Sequence, residues 1–265
     1  MKKFTLITIL FCSVFLIGCT FFVFAMFYAN DVEKLVHNYP YFDQESKSYQ
    51  LTSIKPKWWT SIDSVSKEAK WAIVVSEDWA FFEHEGLDVE QIKIAASESI
   101  KQEKFVRGAS TITQQVIKNT ILTSKKNLWR KFQEAILSYK VEQILSKDQI
   151  LEIYLNIIEL GEGLYGIGPA SFHYFNKHPS QLTAREGAFL AMLLPSPIKY
   201  SISFKKKELT PFAKSIVNSI LIKMRQAQVY DKDEWLRNSE QRFTWEKSSE
   251  EDIKDDEYLE YNVYK

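Results

Sequence analysis

The sequence predicts a mainly α-helical protein, and three observations predict it. In residues 128–145, Leu137, Val141, Ile144 and Leu145 recur close to the ~3.6-residue period of one helix face. Ser146 followed by Gln149, and Thr183 followed by Glu186, have the spacing of capping boxes, in which two side chains reciprocally satisfy the first free N–H groups of a helix. No internal repeat and no series of alternating strands competes with this pattern.

The elements follow in order. Residues 29–62 read as a tether with Pro40, Pro56 and the pair Trp58-Trp59 near a membrane, and from about Ser64 the text is mostly helical. Trp71 to Val75 is a short apolar run. The helix opened by Ser146 carries Ile150, Ile153, Tyr154 and Ile157. Four of the eight glycines then crowd into 161–168 ahead of Pro169, which makes a loop. The helix opened by Thr183 runs from Gly187 to Leu194 and is stopped by Pro195 and Pro197. Residues 207–236 read as a last amphipathic helix pair. The resulting division is 1–30 for the N-terminus and a membrane helix, 31–55 for a linker, 56–236 for the main domain and 237–265 for an acidic, weakly ordered tail.

A chain of 265 residues can form one large domain or two small ones. Aromatics make up 14%, which favours membrane contact or a sugar-stacking groove, although a large apolar core gives the same figure. The formal charge of zero hides a polar distribution. Residues 101–131 hold eight basic residues against Glu103 alone, and residues 246–265 hold eight acids against three lysines.

Lys2 and Lys3 precede an uncharged stretch from Phe4 to about Tyr28. Twenty-five residues at ~1.5 Å each span ~37 Å, enough to cross a bilayer. The lysines lie before the run and none directly after it, which places the N-terminus inside and the body outside. Leu16-Ile17-Gly18-Cys19 is similar to a lipobox, but the mostly apolar residues after Cys19 favour an uncleaved helix. Both cysteines, Cys12 and Cys19, fall in this stretch, so the rest has neither a disulfide nor a thiolate metal site.

Four segments could carry chemistry. Gly161-Glu162-Gly163-Leu164-Tyr165-Gly166 matches the dinucleotide fingerprint by letter, yet it follows a helix where the fingerprint needs a strand, so it reads as a tight helix-to-helix connection. Glu77 and Asp78 follow the apolar run 71–75; a carboxylate at such an edge suits a general acid or base, while the bland alternative is a helix end with exposed acids and His84 in a local hydrogen bond. Between Arg107 and Asn119, the hydroxyls of Ser110, Thr111 and Thr113, the amides of Gln114, Gln115 and Asn119 and the cation Lys118 could surround a sugar phosphate; otherwise this is a helix start capped by Ser110. Glu134 lies in line with Leu137, Val141 and Leu145, so it is either paired, with Arg130 one turn before it, or functional.

Together these segments resemble the lysozyme-like peptidoglycan glycosyltransferase family in its monofunctional form. Glu77-Asp78-x-x-Phe81-x-x-His84-x-Gly86-x-Asp88 is similar to its first motif, and Gly108-Ala109-Ser110-Thr111-Ile112-Thr113-Gln114-Gln115-x-x-Lys118-Asn119 to its second. Arg130-Lys131-x-x-Glu134 resembles the third, and Lys147-x-x-Ile150-Leu151-x-x-Tyr154-Leu155-Asn156 with the Gly-rich loop the fourth. Leu182-x-x-x-Glu186-x-Ala188 through Pro197 resembles the fifth. The five occur in order over roughly residues 56–205. Ala109 stands where many members have glycine, and Lys126 where members often have arginine, which loses bidentate phosphate binding.

The resemblance implies a lysozyme-like glycosyltransferase domain behind one transmembrane helix, at a bacterial plasma membrane with the catalytic domain on the outer face. Its substrates would be lipid II and the growing lipid-linked glycan, with the membrane and other cell-wall synthesis proteins as partners and no nucleic acid. Glu77 would be the general base and Glu134 the second catalytic carboxylate. Substrate would be bound by Asp78, His84, Ser110, Thr111, Gln114, Gln115, Lys118, Asn119, Lys126 and Arg130. No tightly bound cofactor and no metal-ligand cluster is visible; a need for a divalent cation, Mg2+ or Mn2+, is left open. The rival readings are a lysozyme-like hydrolase, whose acid needs no pyrophosphate pocket, and an inactive membrane-anchored scaffold.

Overall fold

A computed structural model describes residue 15 and residues 31–104, 108–122 and 128–247. The apolar stretch 4–28 apart from Phe15, both cysteines, Lys126 and the acids beyond 247 lie outside the described residues. Among those described, no helix is long and apolar enough to cross a membrane. The chain divides into two compact units, one holding residues 31–57 and 82–154 and the other 58–81 and 155–247. Both are dominated by helices, in agreement with the mainly α class.

The first unit opens with a helical segment at 31–37 and a β-hairpin, β1 (Tyr39–Asp43) against β2 (Ser48–Thr52), within residues expected to be a tether. The turn explains the hairpin. Asp43 Oδ2 accepts from Ser46 N at 2.8 Å, and Lys47 takes a left-handed φ of 53°. Phe42 stands opposite Tyr49 with ring centroids 5.2 Å apart, edge to face. Aromatic residues on both faces erase the alternation that would have announced these strands.

Helix α1 (Lys67–Glu77) belongs to the second unit; in the first follow α2 (Val89–Lys101), α3 (Ile112–Thr120) and α4 (Leu128–Ile144). Asp88 caps α2 by accepting from Gln91 N at 2.8 Å. Thr111, and not Ser110, caps α3, because only Thr111 has a glutamine three residues on to complete the box. Leu137, Val141 and Leu145 are buried, as their period requires. Ser146 and Gln149 form the expected box at the start of α5 (Lys147–Ile157), and the division between the units falls within this helix.

In the second unit, α5 leads into a small ribbon, β3 (Glu159–Gly161) with β4 (Leu164–Tyr165), so the Gly-rich connection contains strands as well as a turn. Gly166, at φ 86°, begins α6 (Ile167–Phe175). A Cβ there would stand 2.9 Å from the Asn156 carbonyl oxygen. The Asn156 amide clasps the Thr60 backbone at both ends, with two bonds of 2.8 Å.

Helix α7 (Ala184–Leu193), capped by Thr183 with Glu186 as expected, is buried along its whole length. It packs with α1 and with α10 (Pro211–Gln226), after the short turns α8 (Pro197–Tyr200) and α9 (Ile202–Lys206). Helix α11 (Lys232–Glu240) follows. Residues 241–247, expected in the weakly ordered tail, fold back instead. Phe243 is buried, with its ring 5.2 Å from Phe189 and stacked 4.9 Å from Trp245.

A fully buried helix needs small residues where a neighbour's backbone comes close. At Gly187 a Cβ would lie 2.7 Å from Ala69 Cα. Gly187→Ala is therefore expected to lower the unfolding free energy by about 1–3 kcal/mol in urea titrations, the cost of overpacking. Gly108→Ala, where a Cβ meets nothing within 4 Å, is expected to change it by less than about 0.5 kcal/mol.

Candidate active site

The first unit contains a cavity of about 850 Å³ between α2, the start of α3 and the N-terminal half of α4. Its lining includes the apolar residues Leu87, Ile92, Ala95 and Ala135. It also includes the polar and charged residues Ser110, Gln114, Lys118, Arg130, Lys131 and Glu134. Residues from Leu87 to Ala135, ~160 Å apart in a fully extended chain, meet here because two local devices hold the loop before α2 in place.

The first device is Gly86, at φ 85°. A Cβ at this position would stand 2.8 Å from the Ser138 carbonyl, so only glycine lets the loop pass α4. Thr111 Oγ1 donates to the Gly86 carbonyl at 2.7 Å while accepting from Gln114 N at 3.1 Å, which ties the same loop to the start of α3. The second device is Glu142. Its carboxylate accepts from Thr113 of α3 at 2.5 Å and from Lys147 of α5 at 2.7 Å, and Lys147 also donates to the His84 carbonyl at 2.6 Å. One buried acid thus joins α3, α4, α5 and the first-motif loop.

Glu134 is 2% exposed, as its place on the apolar stripe required. It forms an ion pair with Lys131, three residues before it. Lys131 Nζ also donates to Ser110 Oγ at 2.9 Å, linking the second and third motifs across the cavity. Lys131 is exposed, while the carboxylate it holds, Glu134, is nearly inaccessible. The cavity is suited to an anion next to a long apolar group.

The expected site residues divide in four ways. Ser110, Gln114, Lys118, Arg130 and Glu134 line the cavity together. Thr111 and Gln114 are buried and serve the α3 cap, with Gln114 Oε1 accepting from Thr111 N at 3.0 Å. His84, Gln115 and Asn119 are partly buried, Gln115 Oε1 lying 3.5 Å from the Tyr154 hydroxyl. Glu77 is the last residue of α1 and Asp78, buried, is its C-cap, both in the second unit. Lys126 lies outside the described residues. Two contributors were not among the expected site residues: Lys131, legible as a member of the third motif and of the basic segment, and Glu142, for which the sequence offers no signal beyond an acid two turns after Glu134. Among the described residues, no group of three or more His, Cys, Asp or Glu could hold a metal ion.

Comparison with known proteins places this geometry. A family model described as Transglycosylase matches residues 45–225. The chain is 39% identical over 162 residues to a biosynthetic peptidoglycan transglycosylase of Nitrosomonas eutropha, covering 61% of this chain and 66% of that protein. It is 45% identical over 152 residues to a protein of the same description from Shewanella denitrificans, 57% of this chain and 66% of that one. Over 195 residues it is 36% identical to penicillin-binding protein 1A of Rickettsia bellii, 69% of this chain but 25% of that protein. The chain thus spans just under two thirds of the first two.

Lys147→Met removes a charged donor from both Glu142 and the His84 carbonyl. It is expected to cost about 2–3 kcal/mol in denaturant unfolding, as for a charged hydrogen bond lost at a mostly buried site. Glu142→Gln, which can still accept from Thr113, is expected to cost less.

Proposed function

Because the chain belongs to the transglycosylase family, whose model covers residues 45–225, we propose that it is a peptidoglycan glycosyltransferase that polymerises lipid II into β-1,4-linked glycan. The observation that carries this proposal is the cavity, whose lining combines the cations Lys118, Arg130 and Lys131 with the apolar residues Leu87, Ile92, Ala95 and Ala135. A pyrophosphate attached to a polyprenyl chain has that same division of charge and hydrocarbon. A hydrolase of polymeric glycan has no leaving pyrophosphate to balance, so the cations favour transfer.

In this reaction the growing glycan, still on its lipid, is the donor, and an incoming lipid II is the acceptor. Glu77 takes the proton from the acceptor's 4-hydroxyl. The oxygen attacks the donor's anomeric carbon with inversion, and the bond to undecaprenyl pyrophosphate breaks. Lys118 and Arg130, with Lys126, stabilise the charge that develops on the leaving group, and Glu134, through Lys131, sets how those cations are placed. Glu77 is supported by its position at the end of α1, two residues after the buried pair Val74 and Val75. The stretch 4–28 would anchor the protein in the plasma membrane with the catalytic part outside, so enzyme and both substrates share one surface. Other wall-synthesis proteins would meet it there.

The test is glycan polymerisation from purified lipid II in detergent, with Mg2+ or with chelator in its place to measure any cation requirement. Wild type is expected to form polymer, and Glu77→Gln to lose roughly 10²–10⁴-fold in rate with unchanged unfolding behaviour, as for a general base. Release of disaccharide without polymer would assign a hydrolase, and no turnover by folded wild type would assign a scaffold. Lys118→Ala is expected to lower kcat and kcat/KM together, because its charge acts on the departing group.

A further inference from the structure

Residues 195–225, in the second unit, hold seven basic residues against one acid, Glu208. They form α8, α9 and most of α10. Four of the lysines are exposed: Lys199, Lys205, Lys206 and Lys214. None of the ion pairs among the described residues includes them. Large apolar side chains are exposed between these lysines, Ile198 at 56%, Ile202 at 39% and Phe212 at 48%. Single apolar residues are ordinary on a surface, but here three stand in one short basic segment.

The three helices are fastened to one another, so the charges and the apolar groups share a surface of fixed shape. The Phe212 and Tyr200 ring centroids are 4.8 Å apart, which joins the start of α10 to α8, and Lys199 Nζ lies 5.5 Å from the centre of the Tyr200 ring. Ser203 is buried and its Oγ accepts from Thr210 N at 3.2 Å, which holds α9 to the residue that caps α10. The composition of the surface narrows what it meets. A dissolved polyanion would engage the lysines and leave Ile198, Ile202 and Phe212 in water. An acidic protein would have to present apolar pockets at matching places among its carboxylates. A bilayer with anionic lipids offers both partners over a broad face: phosphates for ammonium groups on flexible stems and, just beneath, hydrocarbon for aliphatic and aromatic side chains.

We propose that this surface of the second unit docks on an anionic phospholipid bilayer, with Ile198, Ile202 and Phe212 entering the headgroup boundary and the lysines on the lipid phosphates. The contact is peripheral and is additional to the anchor expected from residues 4–28. It is separate from the transferase reading and stands whether or not that reading holds.

The test uses the full chain carrying Cys12→Ser, Cys19→Ser and Ser215→Cys, labelled with nitrobenzoxadiazole at position 215, which is exposed and one turn from Phe212. The protein is incorporated in vesicles of phosphatidylcholine, alone or mixed two to one with phosphatidylglycerol, and recovered by flotation. Quenching by lipids doxyl-labelled near the headgroup reports docking. In the anionic vesicles the label is expected to be quenched. Lys199→Gln, Lys205→Gln and Lys206→Gln together are expected to lower the ratio of docked to undocked protein by about tenfold or more, at roughly fivefold for each lysine lost from an anionic surface. Ile198→Ser with Ile202→Ser is expected to lower it as well, without any change in charge. All five positions are exposed, so the fold is expected to stand. Quenching that is equal in phosphatidylcholine alone and indifferent to both sets of substitutions would trace the contact to the anchor and overturn the proposal. A floating protein whose label stays unquenched overturns it too, and is the result expected if the surface serves an acidic protein instead. A chain that does not float overturns the anchor together with the docking.

Discussion

The carboxylate of Glu142 is the point on which the first unit turns. A buried acid must be met by donors or it will not be buried, and the donors it meets come from two other helices, Thr113 of α3 and Lys147 of α5. Because Lys147 also holds the His84 carbonyl, the helices and the loop that frame the cavity share one electrostatic anchor. The cavity's shape therefore depends on a group that does not line it.

Within that frame the cavity separates two tasks. Its cations Lys118 and Arg130 are partly buried and Lys131 is exposed, whereas the carboxylate Glu134 is nearly inaccessible and paired with Lys131. A charge in that position changes what the cations do without competing for the same ligand atoms. Lys131 has a second engagement, with Ser110, so the side chain that neutralises Glu134 also fixes the start of the donor-rich segment. The polarity of that segment is divided in turn. Thr111 and Gln114 make the helix cap, and Gln114 also lines the cavity together with Ser110, before α3, and Lys118, on its far turn.

What the sequence made legible was local. The boxes at Ser146 and Thr183 and the burial of Glu134 in line with Leu137 and Val141 follow from spacing along one helix, and each stands in the structure. The hairpin at 39–52 was not legible because its strands carry aromatics on both faces and its register is set by one turn. The tie from Lys131 to Ser110 was not legible either, since it joins residues 21 apart in the chain and depends on where Ser110 lies in three dimensions. Glu142 could not be read at all: its partners are 29 residues before it and five after it, a closure no periodicity encodes.

The stretch after α11 changes where the protein can be said to end. Phe243 fills a space bounded by Phe175 and Phe189, and Trp245 closes over it. A shortened version stopped at 236, the boundary suggested by amphipathic pattern alone, would leave those two phenylalanines facing water and strip Arg185 of the ring beneath it. Such a fragment would offer a fresh apolar patch to its neighbours in solution. Anyone trimming this protein for crystallisation or display should keep residues through Lys247 and place any tag beyond them.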